Sequence, residues 1–120
     1  MKDKKPDPFF DFIKNVCRVH GNWKIALKLV EREDAPSDLL MYFAQTRDFP
    51  LDVPIKISEN RGAPAAVLDA LIERFGPHGD SFSTRIRTAV AKNPNTSRET
   101  LIKLSKDAND VISRTALRRL

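Results

Sequence analysis

Ile86-Arg87-Thr88-Ala89-Val90-Ala91-Lys92-Asn93-Pro94-Asn95-Thr96-Ser97-Arg98-Glu99-Thr100-Leu101-Ile102-Lys103-Leu104-Ser105-Lys106-Asp107 is the stretch that decides how this chain reads. Ile86, Ala89 and Val90 recur at the spacing of one helical face, and Leu101, Ile102 and Leu104 do so again after a break. Asn93 tolerates the left-handed conformation that ends many helices. Pro94 disfavours helix at the residue before it and removes a backbone donor. Thr96 is placed to cap the second helix. Thr96-Ser97-Arg98-Glu99 has the spacing of a capping box, with Glu99 reaching back to the Thr96 amide. The stretch therefore predicts helix, Asn-Pro turn, helix.

The same plan extends in both directions. Upstream, Phe9, Phe12, Ile13 and Val16 mark a first helix behind Asp7 and Pro8. Asn22 can cap a second that carries Ile25, Ala26, Leu29 and Val30. Asp34 and Pro36 start a third with Leu39, Leu40, Phe43 and Ala44. Asp52 and Pro54 open a short fourth with Val53, Ile55 and Ile57. Pro64 opens a fifth with Val67, Leu68, Leu71, Ile72 and Phe75, and Gly76-Pro77-His78-Gly79 breaks it. Asp80 or Ser83 caps the helix of Ile86. Downstream, Asn109 or Asp110 caps a last helix with Val111 or Ile112, Ala116 and Leu117 inward. No run has the period of two that a strand needs.

Helices this short are marginal alone and must gain stability by packing. Internal similarity suggests how. A shift of 28 residues pairs Lys28 with Lys56, Glu31 with Glu59, Ala35 with Ala63, Pro36 with Pro64 and Leu40 with Leu68. A shift of 33 pairs Asn60 with Asn93, Leu68 with Leu101 and Leu71 with Leu104. A shift of 27 pairs Asp80 with Asp107, Arg87 with Arg114 and Ala89 with Ala116. The expected architecture is all-α, one domain over 1–120 with seven to eight short helices. Residues 1–20 form an N-terminal capping helix, 22–46, 52–75 and 83–106 are repeats, and 109–120 is a terminal half-repeat.

The stretch quoted above closely resembles one repeat of the bacterial leucine-rich repeat variant family. In that family an arginine, an Ala-Val-Ala helix end, Asn-Pro, a Thr, Leu-x-x-Leu and Asp follow in this order. The resemblance covers one repeat well, a half-repeat at 110–120 and two diverged repeats at 22–75; residues 1–20 show none. It implies a short right-handed α-solenoid of stacked helical pairs, related to HEAT repeats. Some members carry an N-terminal cysteine cluster for an iron–sulfur centre. Such a centre takes four thiolates, and Cys17 is the only cysteine here, so no cofactor is carried over.

Composition agrees with a folded chain of 120 residues: 41% is hydrophobic and 31% charged, enough for a core without disulfides. No segment approaches the roughly 18 consecutive apolar residues of a membrane span. Asp11 and Lys14 interrupt any signal-peptide core, so the expected location is cytoplasmic. Cys17 and His20 would be two metal ligands where a structural zinc needs four, and His78 is the only other histidine, so no metal is expected. No nucleophile elbow, phosphate loop or zinc-protease motif occurs. HEAT-like folds include DNA alkylpurine glycosylases, but this chain is short for one and shows no matching catalytic acid. A non-catalytic binding module, an adaptor or inhibitor, is the expectation.

The charge is distributed unevenly. Residues 1–80 hold 12 Lys/Arg against 13 Asp/Glu, and residues 81–120 hold 9 against 3. Arg85, Arg87 and Lys92 lie on one helix and Arg114, Arg118 and Arg119 on the next equivalent one, so stacking predicts an exposed ladder of cations for an acidic partner. An acidic protein surface is favoured over single-stranded nucleic acid, because no aromatic is interleaved with these arginines. Duplex backbone binding needs only cations and stays open as the alternative. Trp23 is a candidate aromatic anchor, and Phe9, Phe10 and Phe12 are the expected N-terminal cap. At the other end Ile112, Ala116, Leu117 and Leu120 are expected to be partly uncovered, so a weak homodimer through the last helix competes with a heterologous partner.

Overall fold

The computed structural model describes residues 11, 13, 15, 23–47 and 49–120. Phe9, Phe10, Phe12, Cys17, His20 and Asn22 lie outside the described residues. The described chain is all-helical, with no strand. Its helices are α1 (Trp23–Val30), α2 (Ser37–Gln45), α3 (Asp52–Glu59), α4 (Ala65–Phe75), α5 (Ser81–Lys92), α6 (Arg98–Leu104) and α7 (Asp110–Arg118).

Each helix packs on its sequence neighbours and, apart from α6, more extensively on a helix two places along. The row α1–α3–α5–α7 is continuous, and α2 packs on α4 beside it. The reason is the apolar face each segment carries. Ala26 and Val30 of α1, Val53 and Ile57 of α3, Ile86 and Val90 of α5, and Ile112 and Ala116 of α7 are all buried at i, i+4 spacing. Leu40, Leu68 and Leu101 are buried in α2, α4 and α6. Ile13 joins the core from upstream, and Trp23 packs half-buried against it. Phe43 is wholly buried and meets Tyr42 and Phe49 edge-on, with centroids 5.2 Å away in both cases.

One turn recurs between successive pairs. The amide of Ala35 donates to the carbonyl of Arg32, that of Ala63 to Asn60, and that of Thr96 to Asn93. The following residue, Pro36, Pro64 or Ser97, is the N-cap of α2, α4 or α6. This corrects two expectations. Thr96 is not the cap: it occupies the turn position of half-buried Ala35 and buried Ala63, and it donates its hydroxyl to Val90 O at 2.6 Å. Ser97 caps instead, accepting from the Thr100 amide, so the Thr96–Glu99 box does not form. Asn93 is not left-handed either. Its φ is −71°, and no described non-glycine residue has positive φ. At the starts of α5 and α7 the caps are Asp80 and Asn109. The Ser83 amide, then its hydroxyl, holds the Asp80 carboxyl below its ordinary value. Asp34 does not cap α2 but pairs with Arg32 on the surface.

What Asn93 and its counterparts do is tie the row together. The last carbonyls of a helix have no partner within it. Asn60 Nδ2 donates to Val30 O at 2.6 Å and Arg32 O at 2.9 Å. Asn93 Nδ2 donates to Ser58 O at 3.1 Å and Asn60 O at 2.9 Å. Arg119 Nη1 donates to Ala91 O at 2.8 Å and Asn93 O at 2.7 Å. Thus the end of each helix in the row carries a side chain that satisfies the end of the helix before it. Asn60 and Asn93 also accept from the amides of Gly62 and Asn95, closing their own turns. Asn95 Nδ2 adds a parallel rung to Arg61 O and Ala63 O. In the second row Arg74 Nη1 makes the equivalent bonds to Ala44 O and Thr46 O. Its pKa is pushed down by burial first and by nearby Arg47 second.

Two measurements check this account. Asn93→Ala leaves two backbone acceptors without their donor and should cost about 2–4 kcal/mol by urea unfolding, with an unchanged m-value. Arg119→Ala removes an exposed rung and should cost about 1 kcal/mol. Gly62 sits where a Cβ would overlap the carbonyl of Glu33 in the preceding turn. Gly62→Ala must push the two turns apart and should lower stability by about 1–3 kcal/mol.

Candidate functional site

The residues expected to form a cation ladder separate into two groups. Arg87 is buried. Its Nε donates to Asp107 at 2.7 Å, and the paired side chains are only 6% and 8% exposed. Its Nη1 donates to His78 O at 2.5 Å and approaches Phe75 O at 3.5 Å. Asp107 in turn accepts from the Asn109 amide. Arg87 therefore locks the α4–α5 connection to the α6–α7 connection, and it does not share an exposed face with Arg114.

The reason lies in register. Ile86 and Val90 occupy in α5 the places that Ile112 and Ala116 occupy in α7. That alignment is one residue away from the one pairing Arg87 with Arg114. It sets Thr88 opposite Arg114 and Lys92 opposite Arg118. Arg119, though exposed, is committed through one nitrogen to the carbonyls of Ala91 and Asn93.

Arg85, Lys92, Arg114 and Arg118 are exposed. They project from the sides of α5 and α7 opposite their buried residues. Arg85 and Lys92 are seven residues apart, two turns along one helical face. Between α3 and α5 this face opens into a cleft of about 530 Å³, whose lining includes Glu59, Arg61, Arg85, Ala89 and Lys92. Arg61 comes from the α3–α4 turn and completes a set of three cations. The sequence reading missed it, because residues 1–80 are near neutral and nothing marks one arginine there. On α7 a second shallow cleft of about 490 Å³ is lined by Val111, Arg114, Leu117 and Arg118 with Asp110.

Around the cleft, Arg85 Nη2 lies 3.5 Å from Glu59, with side chains 61% and 41% exposed. No other ion pair among the described residues involves Arg61, Lys92, Arg114 or Arg118. Trp23 packs half-buried against the core. The last helix also differs from expectation. Ile112 and Ala116 are fully buried, while Val111, Leu117 and Leu120 are exposed, Leu117 by 57%.

Among the described residues no three His, Cys, Asp or Glu side chains gather at a metal site. No helix of the described residues is long and apolar enough to cross a membrane. The chain matches no family model, no curated protein and no solved structure.

The buried ion pair gives a direct test of the division between structural and surface arginines. Arg87→Met or Asp107→Asn alone leaves a charge buried without its partner and should cost about 3–5 kcal/mol. The double variant Arg87→Met/Asp107→Asn should cost clearly less than the two single changes together, measured by thermal or urea unfolding. Equal and negligible losses would place Arg87 on the surface.

Proposed function

We propose that this chain is a non-catalytic binding module, a short α-solenoid of the leucine-rich-repeat-variant or HEAT-like kind, that presents the outer face of α3, α5 and α7 to an acidic protein. The observation that carries this reading is the cationic cleft. Arg61, Arg85 and Lys92 line one opening on a face held rigid by the rungs beneath it. Arg114 and Arg118 extend the same charge along α7.

The repeat arrangement is supported by the packing of helices two places apart and by the recurrence of one turn at Ala35, Ala63 and Thr96. The resemblance of 86–107 to a leucine-rich-repeat-variant repeat also fits a role for its arginine and its aspartate, since Arg87 and Asp107 form one buried pair. A right-handed superhelix follows from that resemblance as part of the proposal.

A protein partner suits the face better than a nucleic acid. The described cleft lining contains no aromatic side chain for base stacking. Glu59 within it, and Asp110 on α7, repel a uniform line of phosphates but leave room for carboxylates set at particular positions.

The test compares the protein with a variant carrying Arg85→Glu, Lys92→Glu, Arg114→Glu and Arg118→Glu. All four positions are exposed, so the far-ultraviolet circular dichroism should not change. Fluorescence anisotropy with a labelled oligoglutamate peptide should show at least about tenfold weaker binding to the variant, or about 1.4 kcal/mol. Duplex DNA of the same charge should bind more weakly than the peptide at physiological salt. DNA binding that is tighter than peptide binding, with a steep loss of affinity as salt rises, would replace this reading with phosphate-backbone binding.

A further inference from the structure

We infer that Glu59 is a built-in competitor for the anion-binding cleft: it occupies Arg85 in the free protein and yields it to a carboxylate of the bound partner. This rests on the acidic-partner reading above and names how one residue limits it.

The geometry carries the inference in three steps. Glu59 is the last residue of α3, and Arg85 stands across the cleft on α5. Their contact is 3.5 Å, beyond the 2.7–2.9 Å of a charge-assisted hydrogen bond. Both side chains are well exposed, so the pair is weak and readily exchanged. An arginine held this way can swing to a second carboxylate without crossing a large barrier.

Next, the cleft offers an incoming carboxylate more than Glu59 alone obtains. Arg61 and Lys92 line the same opening, and neither has an ion-pair partner among the described residues. A carboxylate entering between Arg85 and Lys92 is offered two cations from one helical face. The row of rungs fixes the helices that carry these groups, because Asn93 at the end of α5 is tied to Ser58 and Asn60 at the end of α3. Little reorganisation then opposes binding.

Finally, Glu59 is poorly placed for fold stability. A negative charge in the last turn of a helix opposes the helix dipole. Its removal should therefore leave the fold intact or firmer. A position that is mildly unfavourable for its own helix and faces a cationic cleft fits a role in tuning the cleft. Glu31, the matching residue at the end of α1, is exposed and lies outside that lining.

The experiment uses labelled oligoglutamate with the full chain, Glu59→Gln, Glu31→Gln and Glu59→Gln/Arg85→Ala. Glu59→Gln should bind about two- to fivefold more tightly than the parent, the gain expected from releasing one exposed ion pair. Glu31→Gln changes net charge identically and should bind like the parent. Adding Arg85→Ala to Glu59→Gln should abolish the gain. Parent binding without any gain in Glu59→Gln overturns the competitor role and leaves the acidic-partner reading standing. An equal gain in Glu31→Gln reduces the effect to net charge and also overturns it. Failure of both the parent and Glu59→Gln to bind oligoglutamate overturns the inference together with the reading beneath it.

Discussion

Every helix of the α1–α3–α5–α7 row after the first ends on a side chain that completes the helix before it. Buried carbonyls without donors are costly, and a helix C-terminus supplies several of them. Asn60, Asn93 and Arg119 answer that demand from the neighbouring helix rather than from within their own. The consequence is coupling. A helix cannot slide along its neighbour without breaking two bonds at once, so the rungs set the stagger of the row as well as satisfying it. Apolar contact between Val30, Ile57, Val90 and Ala116 supplies attraction but little register. The rungs supply register, and through it the order in which outward side chains appear on the surface.

That order redistributes the charge. The excess of Lys and Arg in the final third suggests a uniformly basic face, yet its arginines serve different ends. Arg87 is consumed by Asp107 and the carbonyls of His78 and Phe75, and Arg119 by the terminal carbonyls of α5. Arg74 does the same work in the second row. A guanidinium suits such places because one nitrogen can serve two carbonyls while the aliphatic stem packs against apolar neighbours. The cations left for an outside partner are fewer and sit on one face: Arg61, Arg85 and Lys92 at the cleft, Arg114 and Arg118 beyond it. Their field is local, and a carboxylate inside the cleft already tempers it.

The helices were largely legible in the sequence because their signals are local. Apolar spacing marked the buried faces of α2, α4 and α5, and Pro36, Pro64, Asp80 and Asn109 marked where helices begin. The shifts pairing Pro36 with Pro64 and Asn60 with Asn93 agree with equivalent hydrogen bonds in the structure. The same alignment held a clue that local chemistry obscured. Continued by the shift of 33, it sets Ser97 opposite Pro64, so Ser97 belongs at the cap and Thr96 in the buried turn. A Thr followed by a Glu three residues on is a strong local pattern, and it masks that alignment.

The side-chain partners could not be read the same way. Arg87 lies inside because it falls on the buried face of α5 with Ser83, Ile86, Val90 and Ala91, and a single step along a helix turns a side chain through about 100°. Periodicity alone does not resolve that step where a charged residue flanks the apolar stripe. The sequence by itself determined the all-helical class, the positions of the turns and the concentration of positive charge near the C-terminal end. Only the tertiary structure decided which cations face solvent, which carbonyls Asn60 and Asn93 serve, and that Arg61 joins Arg85 and Lys92. Helix formation is settled among residues three and four apart, whereas these contacts join residues roughly 20 to 35 apart in the chain, where packing of whole helices chooses the neighbours.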